Sequence, residues 1–270
     1  MNWTQTINLL NKLRLMYFAD WLRYYIQKFK NRKINKNFKL NNSDVKLPPD
    51  YLIYESFQIN YSKYYTDSVE TTKWLKNHLK KHIILQNRRI LDWGCGPGRI
   101  IRHLPNVIGN GCEYFATDYN KKSIDWCFKN LTNIKFNKNS LIAKLPYDDN
   151  FIDVIYGISV FTHLSEQSHY NWYNELHRVL KPNGIMFLTT HGDNFKVKLT
   201  DLQVKKFNDN KLVVRGVKKE GHRVCSAFHP REFMRNLFSN VEILEHIESK
   251  PEKGKFLPQD IWIIKKECCP

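Results

Sequence analysis

The stretch RRILDWGCGPGR, residues 88–99, joins a short apolar run to an acidic residue and then to three glycines within five positions. Asp92 comes near the end of the run, and Gly94, Gly96 and Gly98 alternate with Cys95 and Pro97 before Arg99. A glycine has no Cβ, so its backbone can take positive φ and lie close against a ligand. A dinucleotide site spaces its glycines G-x-G-x-x-G to seat a pyrophosphate on a helix N-terminus. The spacing here is G-x-G-x-G, which taken alone has low specificity. A second carboxylate, Asp118 in ATDYN, follows Gly98 by 20 residues. At that distance it can accept hydrogen bonds from both hydroxyls of a ribose; in isolation it reads as a helix N-cap or turn residue. Tyr119 follows it and can lie along a nucleoside. His163, in VFTHL, is a proton acceptor of the kind that acid–base chemistry uses.

Something must bring these residues together. RRILDW reads as a buried strand, GRIIRHLPNV as a helix, EYFATDY as a strand and KKSIDWCFKNL as a helix. NIKFNKN and FIDVIYGIS follow as strands, SHYNWYNELHRVL as a helix closed by a KPNG turn, and IMFLTTHG as a fifth strand. Alternation at this pace predicts an α/β fold with a parallel sheet covered by helices on both faces. Ligands of such sheets bind beyond the carboxyl ends of the strands. That rule singles out 92–99, 118–120, the Asn139 region, 159–163 and 191–193.

Composition narrows the partners. The 270 residues carry 43 basic and 26 acidic side chains, a net charge of +17. Such a field attracts nucleic acid, an anionic membrane or phosphorylated small molecules without choosing among them; it also fits a solvated basic face. Six cysteines show no C-x-x-C or Cys/His ligand spacing, so no metal site is expected and a reducing cytoplasm suits them. No apolar run reaches the length of a membrane span, and the N-terminus lacks a secretory pattern. Residues 1–50 read as a basic helical arm, in which Leu9, Leu10, Leu13, Met16 and Tyr17 follow helical spacing. The arm either packs on its own domain, joins a sister subunit, or makes peripheral contact with the inner membrane face.

A ligand with an adenosine, an ammonium, a carboxylate and a sulfonium, but no phosphate, fits the glycine turn. Bare backbone N–H groups suit the carboxylate, and Asp92 can help place the ammonium. That ligand is S-adenosylmethionine (SAM). ILDWGCGPGR, ATDYN, LPYDDNFIDVIYGISVFTHL and ELHRVLKPNGIMFLTTHG, in that order over about 90–192, resemble the class I SAM-dependent methyltransferases. LPPDYLIYESF, FHPREFMRNLF and QDIWIIKK are similar to a subgroup associated with polysaccharide and glycan loci. The resemblance implies a Rossmann-like domain over 51–270, with a seven-stranded, mostly parallel sheet whose last strand is antiparallel. VEILEHIES and DIWIIKK fit the final two strands. It implies SAM as cofactor, with S-adenosylhomocysteine as product. The implied SAM contacts are Asp92, Gly94, Cys95, Gly96, Arg99, Asp118, Tyr119, Ile158 and Ser159. Asn139, Ser140 and Leu141 occupy the place beside adenine, where many relatives carry an acidic residue.

Methyl transfer to a hydroxyl needs its proton removed, and His163 is the first candidate base; it can equally pack against the cofactor or cap the next helix. His191, His222 and His229 are weaker candidates. The chain lacks the Asn/Asp-Pro-Pro-aromatic tetrad of base amino-methylating enzymes. It also lacks the Pro-Cys pair of cytosine-carbon enzymes. Residues 194–230 read as a short helix and hairpin that, with 51–65, could cap the acceptor or simply stabilise the domain. Three readings stay open: O-methylation of a sugar, glycan or sugar-phosphate acceptor; methylation of nucleic acid, the less favoured partner; and a non-catalytic SAM-binding scaffold.

Overall fold

A computed structural model describes residues 16–109, 111–217, 220–252, 254 and 256–268. Three helices lead in: α1 (Met16–Asn41), α2 (Asp50–Ser56) and α3 (Tyr61–Leu79). The alternating part follows as β1 (Arg89–Trp93), α4 (Leu104–Ile108), β2 (Glu113–Asp118), α5 (Lys121–Asn130), β3 (Lys135–Lys138), β4 (Ile152–Gly157), α6 (Glu166–Val179) and β5 (Leu180–Thr190). Then come α7 (Asp201–Asn208), β6 (Val213–Arg215), β7 (Ser226–Phe228), α8 (Arg231–Leu237), β8 (Glu242–Ile247) and β9 (Asp260–Lys265).

Seven strands form one sheet in the order β3-β2-β1-β4-β5-β9-β8. Strands β1 to β5 are parallel, and β9 runs antiparallel to both β5 and β8. This is the sheet expected from the resemblance, with its reversed last strand. Period-two alternation sorts the side chains of β1 to opposite faces. Leu91 and Trp93 pack with Trp172 and Leu176 of α6 and Met234 of α8. Ile90 packs with Leu75 and Leu79 of α3 and Ile124 of α5. Asp92 shares the face of Ile90, and its register mates are Ala116 on β2 and Tyr156 on β4.

Local chemistry explains several helix starts. Asn60 accepts from the Lys63 amide at 3.0 Å, and Asn120 from the Lys122 amide at 3.0 Å. Thr200 and Gln203 form a reciprocal capping box on α7. Two sequence expectations need correction. GRIIRHLPNV is not one helix but a 3₁₀ turn, Ile101–His103, followed by the short α4. Pro105 cannot donate to a preceding turn but fits the first turn of a new helix, so the chain restarts at Leu104. KPNG is no separate turn: it lies inside β5, where Asn183 takes φ 62° and its amide donates to the Lys266 carbonyl at 2.8 Å.

Helix α1 does not stand apart from the rest. Phe38 joins Ile53, Tyr54, Ile59, Tyr61 and Tyr64 in one buried cluster, so α1, α2 and α3 share a core. Asn35 Oδ1 accepts from the Tyr61 amide at 2.9 Å, and Asp20 from the Tyr54 hydroxyl at 2.6 Å. Leu9, Leu10 and Leu13 lie outside the described residues. Residues 194–230 hold α7 and the β6–β7 hairpin over a small core of Phe195, Leu199, Phe207, Val213 and Phe228. Among the described residues, no helix is long and apolar enough to cross a membrane.

Candidate functional site

A cleft opens at the carboxyl ends of β1, β2, β3 and β4. Its lining includes Asp92, Gly94, Cys95, Gly96, Arg99, Asp118, Tyr119, Asn139, Ser140, Leu141, Ile158, Ser159 and His163. The residues expected to contact SAM, together with His163, line one cavity; Gly98 of the glycine turn does not. His191, His222 and His229 are not in its wall. His229 is wholly buried with Nε2 2.9 Å from Nε2 of His169, and His191 stacks on Phe195 at 4.0 Å between ring centroids.

The glycine turn is fastened from beneath. The amides of Gly94 and Cys95 donate to the Thr117 carbonyl (2.8 and 3.0 Å), that of Gly96 to Asp118 Oδ2 (2.8 Å), and that of Gly98 to the Cys95 carbonyl (3.0 Å). The expectation that these N–H groups would receive a carboxylate is therefore corrected: protein acceptors already hold them. What the glycines supply is shape. Gly94 sits at φ +79° and Gly96 at φ +52°, and a Cβ on Gly94 would lie 2.5 Å from Val160 Cγ2. Gly94→Ala is expected to cost about 1–3 kcal/mol of stability, from the strained φ and the clash. A denaturation midpoint equal to wild type would contradict this.

Arg99 is the cationic side chain nearest this turn in the cleft wall. Its guanidinium lies over the Phe57 ring at 4.5 Å and makes no hydrogen bond among the described residues. Asp92 is buried, and burial above all pushes its carboxyl up to about 7, with the Asp118 charge adding to the rise. The Tyr156 hydroxyl opposite favours its ionised form yet forms no hydrogen bond of normal geometry and stays unpaired. Asp118 is held by two amides, Gly96 on Oδ2 and Asn120 on Oδ1 at 2.7 Å. Burial outweighs those bonds and raises its pKa as well. Each of its oxygens keeps a further lone pair for a ligand hydroxyl.

At the opposite wall, Asn139 Nδ2 donates to the Ser140 carbonyl at 2.7 Å, while its buried Oδ1 has no partner. An orphaned acceptor of this kind suits an exocyclic amine. Ser159 takes φ 64°, rare for a residue with a side chain and frequent at functional sites. Three bonds hold it there: its amide to Thr189 Oγ1 (2.8 Å), and its hydroxyl with Thr162 (2.9 Å) and Gln259 Nε2 (2.8 Å).

His163 is the last of the expected groups. Its Nδ1 lies 2.7 Å from the Cys225 carbonyl, which can only accept, so Nδ1 carries the hydrogen. Burial lowers its pKa below the usual 6.5. The ring is then neutral near pH 7, with the Nε2 lone pair available.

Further wall residues carry no local sequence signal. Leu52, Glu55 and Ser56 come from α2, and Gly221 and Arg223 from the loop between β6 and β7. Glu55 accepts from Asn120 Nδ2 at 2.8 Å, and burial raises its pKa, with the Asp118 charge adding. Arg223 donates to the Tyr54 carbonyl at 2.6 Å and covers the Tyr54 ring at 4.2 Å. Described residues of the loop are bonded to the segment after β4: the Gly221 amide donates to the His163 carbonyl at 2.8 Å, and the Ser165 amide and hydroxyl donate to Glu220 at 2.7 and 2.8 Å. Gly221 takes φ +81°, and a Cβ there would lie 2.8 Å from Leu141 Cδ2 and 3.3 Å from Tyr119, so a bare α-carbon suits this close approach. Three carboxylates thus face the cleft with raised pKa values, against two guanidiniums. A ligand carrying positive charge relieves them.

Comparison with known proteins bears on the domain and on the fold. Residues 90–184 match the family model described as a methyltransferase domain. The sterol 24-C-methyltransferase erg6 of Schizosaccharomyces pombe is 29% identical over 102 residues, a match spanning 36% of this chain and 26% of that protein. Among solved structures, a SAM-dependent methyltransferase of Methanosarcina mazei superposes with a TM-score of 0.54 at 17% identity, covering 70% of this chain and 97% of its own. One from Mesorhizobium loti gives 0.55 at 15% identity, covering 72% and 98%. The 1,6-didemethyltoxoflavin-N1-methyltransferase of Burkholderia thailandensis, solved with S-adenosylhomocysteine, gives 0.52 at 12% identity, covering 74% and 79%. The fold is the Rossmann-like class I methyltransferase fold, and SAM is the cofactor that the domain match supports.

Proposed function

We infer that this chain is a SAM-dependent methyltransferase that methylates a hydroxyl oxygen on a sugar, glycan or sugar-phosphate acceptor. The observation that carries the cofactor half is the convergence of Asp92, Arg99, Asp118 and the orphaned Asn139 Oδ1 on one cleft. Bound there, SAM would supply an electrophilic methyl group on its sulfonium. Asp118 would hold the ribose hydroxyls, Asn139 with Ser140 and Leu141 the adenine edge, Asp92 the ammonium and Arg99 the carboxylate. Tyr119 and Leu141, pressed by the Gly221 loop, would exclude water from the adenosine side.

The acceptor half rests on His163. Its neutral ring, fixed through Nδ1 to the Cys225 carbonyl, can take a hydroxyl proton on Nε2 as the new C–O bond forms. A sugar-type acceptor is supported by the further polar side chains of the cleft wall, Glu55, Ser56 and Arg223. Incubation with methyl-labelled SAM and a cell extract split into glycan, nucleic-acid, lipid and small-molecule pools tests the assignment. Label in the glycan or sugar-phosphate pool supports it, and label confined to another pool overturns the acceptor class. A chain that binds SAM and labels nothing would be a scaffold.

Asp92 gives this reading a pH signature. Without ligand its carboxyl is pushed up to about 7, and an ammonium beside it favours the ionised form. Binding must then expel the proton that Asp92 carries below that pH. SAM affinity is expected to fall by up to about tenfold per pH unit as pH drops below 7. Calorimetry at pH 6 in buffers of different ionisation enthalpy should show about one proton released per cofactor. A pH-independent affinity would remove Asp92 from the ammonium site.

A further inference from the structure

Helix α1 turns one face inward and leaves the other exposed among the described residues. Asp20, Tyr24, Gln27, Asn31, Asn35 and Phe38, spaced by three and four, meet α2 and α3 or lie half-buried against them. The opposite face begins with Phe18, Trp21, Leu22, Tyr25, Ile26 and Phe29. All six are exposed: Phe18 to 60%, Trp21 to 54% and Phe29 to 65%. Their rings touch one another, Trp21 meeting Tyr25 at 4.6 Å and Phe18 at 6.0 Å between centroids, and Tyr25 also meets Tyr24 of the inward face at 5.0 Å. Farther along, the same face changes to Arg32, Lys33 and Lys36, with Lys30 and Lys39 flanking. The Arg32 guanidinium sits over the Phe29 ring at 4.3 Å, joining the two halves.

We propose that this face of α1 docks on an anionic lipid bilayer. The aromatic half would enter the headgroup–acyl boundary and the lysine-rich half would lie over acidic headgroups. The chemistry favours this occupant over a second copy of the chain. The described helix carries seven basic residues and one acidic residue, and that one, Asp20, is turned inward to Tyr54 and Arg223. Pairing two such faces brings like charges together, whereas an acidic membrane surface neutralises them. It also favours lipid over nucleic acid, because phosphates offer nothing to Phe18, Leu22, Ile26 and Phe29, which gain free energy only on leaving water.

Docking would act close to the cleft. Asp20 Oδ1 accepts from the Tyr54 hydroxyl at 2.6 Å and lies 3.6 Å from Nε of Arg223, a cleft-lining residue. The helix that carries the proposed membrane face thus touches, through Asp20 on its inner side, a loop residue of the cleft wall.

Flotation of the full chain with vesicles tests this without any methyl-transfer readout. The protein is expected to float with phosphatidylcholine–phosphatidylglycerol vesicles, to stay behind with phosphatidylcholine alone, and to release as salt is raised. The triple variant Lys30→Glu/Lys33→Glu/Lys36→Glu is expected to lower partitioning by about a hundredfold. Trp21→Ser/Phe29→Ser is expected to lower it by at least about tenfold with the melting temperature unchanged, since both side chains are exposed. Wild-type protein that floats with neither vesicle overturns the proposal, and so does a charge-reversed variant that floats as wild type does. A sedimentation-detected dimer that Trp21→Ser dissociates, without vesicle binding, gives the face to a second copy. RNA binding lost in the same variants, again without vesicle binding, gives it to nucleic acid.

Discussion

His163→Ala is expected to lower kcat at saturating SAM by about 10²–10⁴-fold, the range for losing a positioned general base. SAM affinity should be nearly unchanged if the ring serves the acceptor, because among the described residues its side chain bonds to the Cys225 carbonyl and not to Asp92, Asp118 or Asn139. The pH profile separates catalysis from mere packing. Burial holds the imidazole below its ordinary 6.5, so the neutral, proton-accepting form prevails at pH 7 and is lost only on acidification. In the wild type kcat should therefore be level near neutrality and fall on the acid side of 6.5. In the variant that acid limb should vanish with the rate. Measuring at saturating cofactor keeps the Asp92 titration, which acts on binding, out of the profile. A His163→Ala enzyme with wild-type kcat would remove this residue as the base and reopen the question of which atom is methylated.

Asp118→Ala is expected to weaken SAM binding by about 1–3 kcal/mol, roughly 5- to 150-fold, the scale for losing charge-assisted hydrogen bonds. The loss has two sources. The ribose hydroxyls would lose their acceptor, and the Gly96 amide would lose the carboxylate that anchors the glycine turn at 2.8 Å. Asp118→Asn separates them. It keeps an oxygen for the Gly96 amide but gives up the charge and one acceptor, so it should fall between wild type and alanine. Titration calorimetry on folded protein reads both. Unchanged affinity in either variant would reject the ribose role.

The strand ends were legible because their chemistry is local. A glycine that must take positive φ, and an acid that must end a buried strand, leave marks a few residues long, and the distance between the marks repeats a known layout. Gly94, Asp118, Asn139 and Ser159 could all be read that way. Glu55 and Arg223 could not. The segments that hold them, 51–65 and 194–230, read as a cap, but which side chain of each enters the cleft depends on how α2 packs on α1 and on the bond from the Gly221 amide to the His163 carbonyl. The wiring of the turn was also hidden. Composition says that the amides of Gly94 and Gly96 are unshielded, but only the register of β1 beside β2 reveals that Thr117 and Asp118 take them. The broken helix after Gly98 had a visible cause in Pro105, outweighed by the apolar spacing around it. The exposed face of α1 shows the converse. Its three-and-four spacing is plain in the sequence, yet spacing alone does not say which stripe meets the core. The buried Asn35 and Phe38 decide it.

The most direct test is a crystal structure of this chain soaked with S-adenosylhomocysteine. Density should show the ribose hydroxyls on Asp118, the adenine amine on Asn139 Oδ1 and the carboxylate end at Arg99, with the Gly221 loop closed over the adenosine. Nucleoside density anywhere else, or a cleft that excludes the molecule because Leu141, Tyr119 and the loop fill it, would contradict the central claim.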